Sequence, residues 1–338
     1  MKVMRERRFL VALAAVSAIV AGSAGTSSAI LNDDGYSYTQ PGAELIMPFD
    51  ATEGKSTFLL VSNINGKSSS GGAQVSTHWT FWSESCNELA DFSICLTLND
   101  TVVVDPTNAR ALNANNEEVG PLIDLTGKRG LVTVTAYTTD TTCGNFASPG
   151  SRLADDAIVG TFTFADTSVG YAFGNDAFGL GLNGAGTAVV LPSSNGIASF
   201  DLDIFDPTSV EASVVVLSHL REQSAGQVIP SKDKLRFATK FYDTLEIPTS
   251  LPEQETGCVR FTQISSSGET TGLIPENVDV TTSGIISLHP VSGFGNGDRD
   301  YLYSIVGQAV GSFGASSSAK VRPSASRAFL DTPASLFD

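Results

Sequence analysis

The chain contains few of the residues from which catalytic and nucleic-acid sites are usually built. Its 338 residues include three histidines, four cysteines and two tryptophans. Only 20 lysines and arginines stand against 36 aspartates and glutamates, so the formal net charge is −16. Phosphate groups require a basic binding surface, and this composition therefore excludes nucleic acid and an anionic membrane as expected partners.

Long apolar runs are also missing, with one exception at the start of the sequence. A basic segment at residues 2–8 precedes the apolar run 9–24, and Ser27-Ser28-Ala29 supplies small residues for cleavage before Ile30. The run is shorter than the ~20 residues that span a bilayer. We therefore expect residues 1–29 to be a signal peptide. The mature chain would be secreted, held at the cell surface or retained in the periplasm, without a transmembrane segment.

The four cysteines have no CxxC spacing of the kind found in metal or redox motifs. An even number of cysteines in an exported chain predicts disulfides. We favour Cys86–Cys95, because only eight residues separate them around a predicted turn, and this leaves Cys143–Cys258 to tie two domains together. A second possibility joins Cys86 to Cys143.

The sequence lacks long helical patterns and instead shows short segments with alternating polarity. In the segment Val75–Trp82 one set of alternate residues is predominantly apolar, with Trp79 and Phe81 among them. Such alternation predicts strands with one face in a core. Turn-forming Gly, Asn, Asp and Pro separate these segments. The sequence therefore predicts an all-β protein.

Four segments recur in the same order along the chain. The matches are Phe58–Asn63 with Val214–His219, Val75–Trp82 with Leu235–Tyr242, Gly130–Thr135 with Gly284–His289, and Ile158–Gly160 with Ile305–Gly307. Their offsets of 156, 160, 154 and 147 residues predict two copies of one β-domain with loops of different length. The predicted divisions are residues 30–195 for the first domain with an N-terminal extension, 196–317 for the second domain, and 318–338 for a flexible tail.

This order of segments resembles the tandem Ig-like modules of uncharacterised Gram-negative surface proteins. The resemblance covers most of the mature chain and rests on the aromatic-ended strands (Phe81-Trp82-Ser83 and Phe241-Tyr242-Asp243) and a later strand that begins with glycine. It implies two Ig-like β-sandwich domains at the cell exterior. It brings no catalytic residues with it.

The histidines and acidic residues form no recognised catalytic or metal-binding pattern. His78, His219 and His289 lie on three separate predicted strands, and no GxSxG motif marks a nucleophile. The acids occur in alternating or loop patterns that are typical of solvated surfaces. The segment Asn296-Gly-Asp298-Arg-Asp300 has oxygen ligands suited to Ca²⁺ but departs from the EF-hand pattern.

Trp82 and Tyr242 fall at equivalent positions of the two predicted copies. Their rings would stack on sugars or anchor a partner, or else close the edge of the sandwich. We expect a non-enzymatic protein with a structural or adhesive role, without a required cofactor and with other surface proteins or glycans as partners. The alternatives are a carbohydrate-binding module, with or without Ca²⁺, and a secreted hydrolase whose site is assembled from distant residues.

Overall fold

A computed structural model describes a series of segments from residue 41 to residue 324. They are residues 41–64, 74–107, 110–113, 118–119, 123–137, 153, 157–168, 171–182, 189–190, 199–204, 210–222, 227–243, 245, 247–264, 272–274, 284–290, 300–310, 315–319 and 322–324. Every regular element in these segments is a β-strand, which confirms the all-β prediction. None of the described segments forms a helix with the length and apolar character needed to cross a membrane.

The strands are numbered in chain order. Those before residue 191 are β1 (Glu44–Asp50), β2 (Lys55–Asn63), β3 (Val75–Ser83), β4 (Glu88–Leu96), β5 (Thr101–Asp105), β6 (Arg110–Asn113), β7 (Arg129–Tyr137), β8 (Ile158–Asp166), β9 (Tyr171–Asp176), β10 (Phe178–Leu182) and β11 (Val189–Val190). Those after residue 198 are β12 (Ser199–Ile204), β13 (Val210–Glu222), β14 (Val228–Pro230), β15 (Leu235–Asp243), β16 (Pro248–Thr256), β17 (Arg260–Thr262), β18 (Gly284–Pro290), β19 (Asp300–Val310), β20 (Ala315–Ala319) and β21 (Arg322–Ser324).

The strands form four antiparallel sheets. Sheet I has the order β11-β10-β1-β7-β3-β4 and sheet II the order β6-β5-β2-β8-β9. Sheet III has the order β14-β13-β19-β20, with β17 also paired to β13, and sheet IV has the order β16-β15-β18-β12-β21. Sheets I and II contain only strands from β1 to β11, which we call the first half. Sheets III and IV contain only strands from β12 to β21, which we call the second half.

In each half, strands of the two sheets contact one another. β1 of sheet I contacts β2 and β8 of sheet II, and β12 of sheet IV contacts β19 and β20 of sheet III. Buried apolar side chains from both halves form one hydrophobic cluster. Antiparallel sheets commonly pack one face against such a core.

The alternation in β3 shows why its sequence forms a strand. Val75, Thr77, Trp79 and Phe81 are all fully buried, whereas Trp82 is half-buried on the opposite face. The Trp79 indole stacks on the Phe92 ring of β4 with centroids 6.0 Å apart, and its Nε1–H donates to Thr77 Oγ1 over 2.9 Å. The local pattern and the packing therefore agree.

Glycine at the start of β7 is required by a close approach to β3. Gly130 pairs with Ser83, and a Cβ added at Gly130 would lie 1.8 Å from the carbonyl oxygen of Trp82. A side chain at this position would push the two strands apart. In the second half, Gly284 pairs with Asp243 at the corresponding end of β15.

Several aspartates close turns at strand ends in a recurring D-x-[S/T] arrangement. Asp50 Oδ1 accepts the backbone N–H of Thr52 at 3.0 Å, and Asp166 Oδ1 accepts that of Ser168 at 2.9 Å. Both aspartates are buried. Lys55 Nζ also lies 3.3 Å from Asp50 Oδ2. These carboxylates satisfy turn amides, as Asx-turns do, and thus have a structural role.

The predicted disulfide pairings are wrong. Cys86, in the loop between β3 and β4, is bonded to Cys258, in the turn after β16, with a Cα–Cα distance of 5.3 Å. Both Cys86–Cys95 and Cys86–Cys143 are thereby excluded, as is Cys143–Cys258. Cys95 is also disulfide-bonded, and Cys143, the remaining cysteine of the sequence, lies outside the described residues. The prediction failed because it favoured short sequence separation, whereas the two halves meet at Cys86.

The C-terminal region contains a strand within the stretch predicted to be a tail. Arg322–Ser324 forms β21 and pairs with Ser199–Asp201 of β12. The low apolar content of this stretch concealed its strand, because an edge strand is held mainly by main-chain hydrogen bonds.

Peptide mapping without reduction tests the disulfide assignment. We expect linked peptides containing Cys86 with Cys258 and Cys95 with Cys143. The double variant Cys86→Ser/Cys258→Ser should lower the free energy of unfolding by about 2–5 kcal/mol, because the bond closes a long loop. A Cys86–Cys95 peptide would contradict the assignment.

Candidate functional site

The two halves meet along β9 of sheet II, which contacts β19 and β20 of sheet III, and on the outer face of sheet I. All seven residues of β1 are buried, and β7 is buried along nearly its whole length. An antiparallel sheet usually leaves one face to solvent. Here β14 of the second half contacts β7 from outside, so the centre of sheet I is covered on both faces. We call this contact region the junction.

Polar groups and one disulfide hold the junction together. The backbone N–H of Val228 donates to the carboxylate of Glu44, with distances of 3.3 and 3.4 Å to its two oxygens. Gln227 Nε2 donates to Tyr137 Oη over 2.9 Å. At the other end of the sheet, the Cys86–Cys258 bond fixes the β3–β4 loop to the second half.

A cation–π contact lies beside the disulfide. The guanidinium carbon of Arg129, at the start of β7, is 5.0 Å from the centroid of the Phe261 ring on β17. Arg129 Nε is also 2.9 Å from Glu84 Oε2 in the β3–β4 loop. The ring contact links the first half to the second, whereas the ion pair with Glu84 lies within the first half.

The junction contains a polar, partly open cavity of about 200 Å³. Its described lining residues come from both halves: Glu44, His78, Thr80, Trp82, Glu88, Thr133, Thr135, Gln227 and Ile229. Sites for drug-sized ligands measure about 300–1,000 Å³, so this cavity suits one small molecule. The lining includes two carboxylates and, among described residues, neither lysine nor arginine.

Trp82 forms a wall of this cavity. Its Nε1–H donates to Thr133 Oγ1 over 3.2 Å, which holds the indole of β3 against the Thr133 side chain on the neighbouring strand β7. Alternation in β3 turns Trp82 to the side opposite Trp79 and Phe81. An anchored aromatic ring among hydroxyl, amide and carboxylate groups can stack on an apolar ligand face while the polar groups bind its hydroxyls or amines.

The two cavity carboxylates differ in environment. Glu44 is buried and accepts the Val228 amide, whereas Glu88 is exposed at the edge strand β4. Paired carboxylates hydrolyse glycosides when one activates water or attacks while the other donates a proton. Because a backbone amide of the second half holds Glu44, its carboxylate serves first to join the halves.

His78 forms a cross-strand contact with two residues of β4. Its Nδ1 lies 3.1 Å from Ser93 Oγ, and its Nε2 lies 4.0 Å from Asp91 Oδ2. In a Ser-His-Asp triad the carboxylate binds and orients the histidine closely, and donors must surround a nearby oxyanion. The distance of 4.0 Å to the exposed Asp91 is typical of cross-strand pairing.

The other histidines do not join His78. His219 is fully buried in sheet III, where its Nδ1–H donates to the carbonyl oxygen of Asp233 over 2.8 Å. His289 lies on β18 of sheet IV, paired with Ala238, and its side chain is outside the described set. In the described part of the chain, no group of three or more His, Cys, Asp or Glu side chains is arranged to hold a metal ion.

The remaining predicted site residues are not brought together with Trp82. Tyr242 lies on β15 of sheet IV, half-buried and paired with Ile285. It does not belong to the described cavity lining. Asn296 and Asp298 lie outside the described residues, and Asp300 begins β19 without a described side chain. The calcium site therefore stays a prediction.

Sequence reasoning missed Glu44, Gln227 and Ile229. Glu44 begins a strand and reads as an ordinary acid, Gln227 directly precedes the short strand β14, and Ile229 lies within it. Their role arises only when the second half covers the first. The one available signal was the position of Glu44 directly before the apolar run 45–49, where a buried charge requires a partner.

Comparisons of the chain with protein-family models, with curated proteins and with solved structures find no match.

Alanine substitution of the two tryptophans separates core from cavity. Trp79→Ala should lower the free energy of unfolding by about 3–5 kcal/mol, the usual loss for a fully buried large aromatic. Trp82→Ala should cost roughly 1–2 kcal/mol, from partial burial and one hydrogen bond. Urea denaturation followed by circular dichroism measures both. Equal losses would show that Trp82 belongs to the core.

Proposed function

We propose that this protein is exported and has a non-enzymatic, structural or adhesive role at the cell exterior, built on two equivalent β-sandwich domains. The Cys86–Cys258 disulfide between the halves carries the proposal. Disulfides persist in oxidising compartments, and this one links the two halves covalently. A covalently linked pair suits a protein that bears load or presents surfaces to partners.

The equivalence of the two halves is supported by their strand orders. In sheet I the order β10-β1-β7-β3-β4 corresponds to β21-β12-β18-β15-β16 in sheet IV. In sheet II the order β2-β8-β9 corresponds to β13-β19-β20 in sheet III. Each of the four repeated sequence segments occupies the corresponding strand. Two layered antiparallel sheets in each half also suit the Ig-like architecture in its broad sense.

Strand register gives a second, independent argument. Ser83 pairs with Gly130 in the first half, and Asp243 pairs with Gly284 in the second. The sequence offsets of 160 and 154 residues convert one pair into the other. A chance resemblance between two β-domains has no reason to preserve register, because register is set separately by each sheet.

The strand register does not agree with the fourth pair of repeated segments, Ile158–Gly160 and Ile305–Gly307. Val61 pairs with Gly160, and the equivalent Leu217 pairs with Ser304. The register therefore aligns Gly160 with Ser304, three residues before the Gly307 of the sequence match. Both segments read Ile-Val-Gly, and the sequence match aligned these identical residues. Such apolar pairs are common in strands, so their identity does not fix the alignment.

Attachment of the purified chain to cells and immobilised glycans tests the proposal. Replacing Trp82 and Tyr242 together by alanine is expected to weaken attachment by about tenfold or more, as loss of aromatic anchors does. The matched control replaces both by phenylalanine and keeps the rings. Unchanged attachment of the alanine variant would remove these residues from the binding surface. Robust turnover in a broad hydrolase screen would overturn the non-enzymatic role.

Carbohydrate binding is the second candidate, and the cavity lining favours it. Trp82 lies there beside threonine hydroxyls, the Gln227 amide and two carboxylates. Sugar rings bind such sites by stacking one face on an aromatic ring and placing their hydroxyls against polar groups. The cavity volume of about 200 Å³ suits a small ligand such as one sugar unit.

Tryptophan fluorescence during titration with monosaccharides tests this candidate. The chain has two tryptophans, and Trp79 is fully buried away from the cavity. A bound sugar should therefore change the emission of Trp82 alone. The change should vanish in Trp82→Phe, which retains Trp79 as an internal reference. Unchanged tryptophan emission across a panel of monosaccharides would contradict carbohydrate binding.

A further inference from the structure

The cavity at the junction extends across the outer face of sheet I. Glu44 lines it from β1 and Glu88 lines it from β4, and the strands β7 and β3 lie between them. Neighbouring strands are about 4.8 Å apart, so three strand spacings separate the two glutamates by roughly 14 Å across the sheet. The cavity therefore has a carboxylate on each side.

The strand register separates the two glutamates along the strands as well. Glu44 pairs with Thr135, which pairs with His78 of β3, whereas Glu88 pairs with Trp82 of the same strand. The four positions from His78 to Trp82 correspond to roughly 13 Å of strand. Together the two offsets place the backbones of the glutamates roughly 19 Å apart on the diagonal. The two carboxylates thus lie at opposite ends of one elongated cavity, too far apart to hold a single small ion between them.

Glu44 forms the inner end of the cavity. It is 1% exposed, and its two oxygens lie 3.3 and 3.4 Å from the Val228 amide nitrogen. This single N–H occupies part of the acceptor capacity of a carboxylate, which has about four acceptor positions. Water screens a buried charge less than an exposed one, so Glu44 attracts a cation in the cavity more strongly than a surface glutamate does.

The lining between the two glutamates combines an aromatic ring, an aliphatic side chain and hydroxyl groups. Trp82 lies beside Glu88 as its cross-strand partner, and Ile229 faces the same cavity from β14. Thr80 and Thr133 add hydroxyl oxygens that can accept N–H groups. Methylene groups pack well against indole and isoleucine, and a positively charged nitrogen is attracted to the face of an indole ring.

The charge of the cavity favours a cation over a neutral ligand. Among the described residues that line it are two carboxylates and neither lysine nor arginine. A cleft lined by charges of one sign raises the local concentration of ions of the opposite sign, and the net charge of −16 acts in the same direction. A neutral sugar gains no energy from two charges at opposite ends, whereas a flexible ligand with a positive group at each end gains energy from both.

We propose that the cavity binds a linear polyamine, with one terminal ammonium group at Glu44, the other at Glu88, and the methylene chain along Trp82 and Ile229. The volume of about 200 Å³ suits a thin, unbranched chain. A chain with three or more nitrogens reaches towards both ends, whereas a monoamine pairs with one carboxylate at a time. This inference goes beyond the adhesive role, which does not depend on it, and gives a charged ligand to the cavity that the second candidate function assigns to a sugar.

Calorimetric titration of the purified chain with three amines tests the proposal. The probes are spermidine, the shorter diamine putrescine and the monoamine butylamine. Spermidine should bind at least about tenfold more tightly than butylamine, with putrescine between them, because linked ammonium groups occupy both ends of the cavity at once. Binding of spermidine should also change the fluorescence of Trp82, and this change should vanish in Trp82→Phe.

Glutamine variants test the two ends separately. Glu44→Gln and Glu88→Gln should each weaken spermidine binding, by about tenfold or more for the buried Glu44 and by several-fold for the exposed Glu88. Each variant should also bind spermidine with less advantage over butylamine, because one end has lost its charge. The matched control Glu53→Gln removes the same charge from the exposed turn between β1 and β2 and should bind like the wild type.

Circular dichroism and thermal unfolding show whether each variant is folded. Glu88 is exposed, so Glu88→Gln remains a valid test if the loss of the buried Glu44 disturbs the junction. Equal affinity for spermidine and butylamine, or unchanged spermidine affinity in Glu88→Gln, would overturn the inference. An equal loss in Glu53→Gln and Glu88→Gln would do so too, because net charge alone would then explain the binding.

Binding of neutral monosaccharides without binding of polyamines would also overturn the inference and would support the carbohydrate candidate. Neither result bears on the adhesive role, because attachment to cells and immobilised glycans is measured separately. Polyamine binding by a chain that does not attach to cells or glycans would support the inference while the adhesive role fails.

Discussion

The central strands of sheet I are buried on both faces because the second half of the chain covers their outer side. Their polar outward residues, Glu44 among them, would need water if that face were open. The backbone of β14 supplies hydrogen bonds in place of that water. Because polar side chains do not interdigitate as completely as a core, a cavity remains between the two surfaces. The half-burial of Trp82 follows from the same cover.

A disulfide bond also connects the two halves. Cys86 and Cys258 are 172 residues apart, so their bond removes much of the freedom of the unfolded chain. It also holds the β3–β4 loop against the turn after β16, at the opposite end of β3 from Tyr137. Hydrogen bonds at one end and the disulfide at the other thus connect the two halves.

Sequence reasoning succeeded where the determinants are local. The alternation in β3 predicted a strand and the face that enters the core, and Trp79 and Phe81 are fully buried there. Each of the repeated segments lies in a strand, because each segment carries its own pattern of apolar residues. The register of β7 against β3 explains the glycine near the start of β7, because the carbonyl group of Trp82 leaves no room there for a side chain.

The sequence did not predict the junction, because no local sequence pattern specifies which segment covers the outer face of a sheet. The alternation of β3 assigned Trp82 to the polar face of the strand. It did not indicate that Gln227 and Ile229 line the same cavity as Trp82. The same limitation explains the disulfide error. Sequence separation favoured Cys95 as the partner of Cys86, whereas the docking of one half on the other brings Cys258 there.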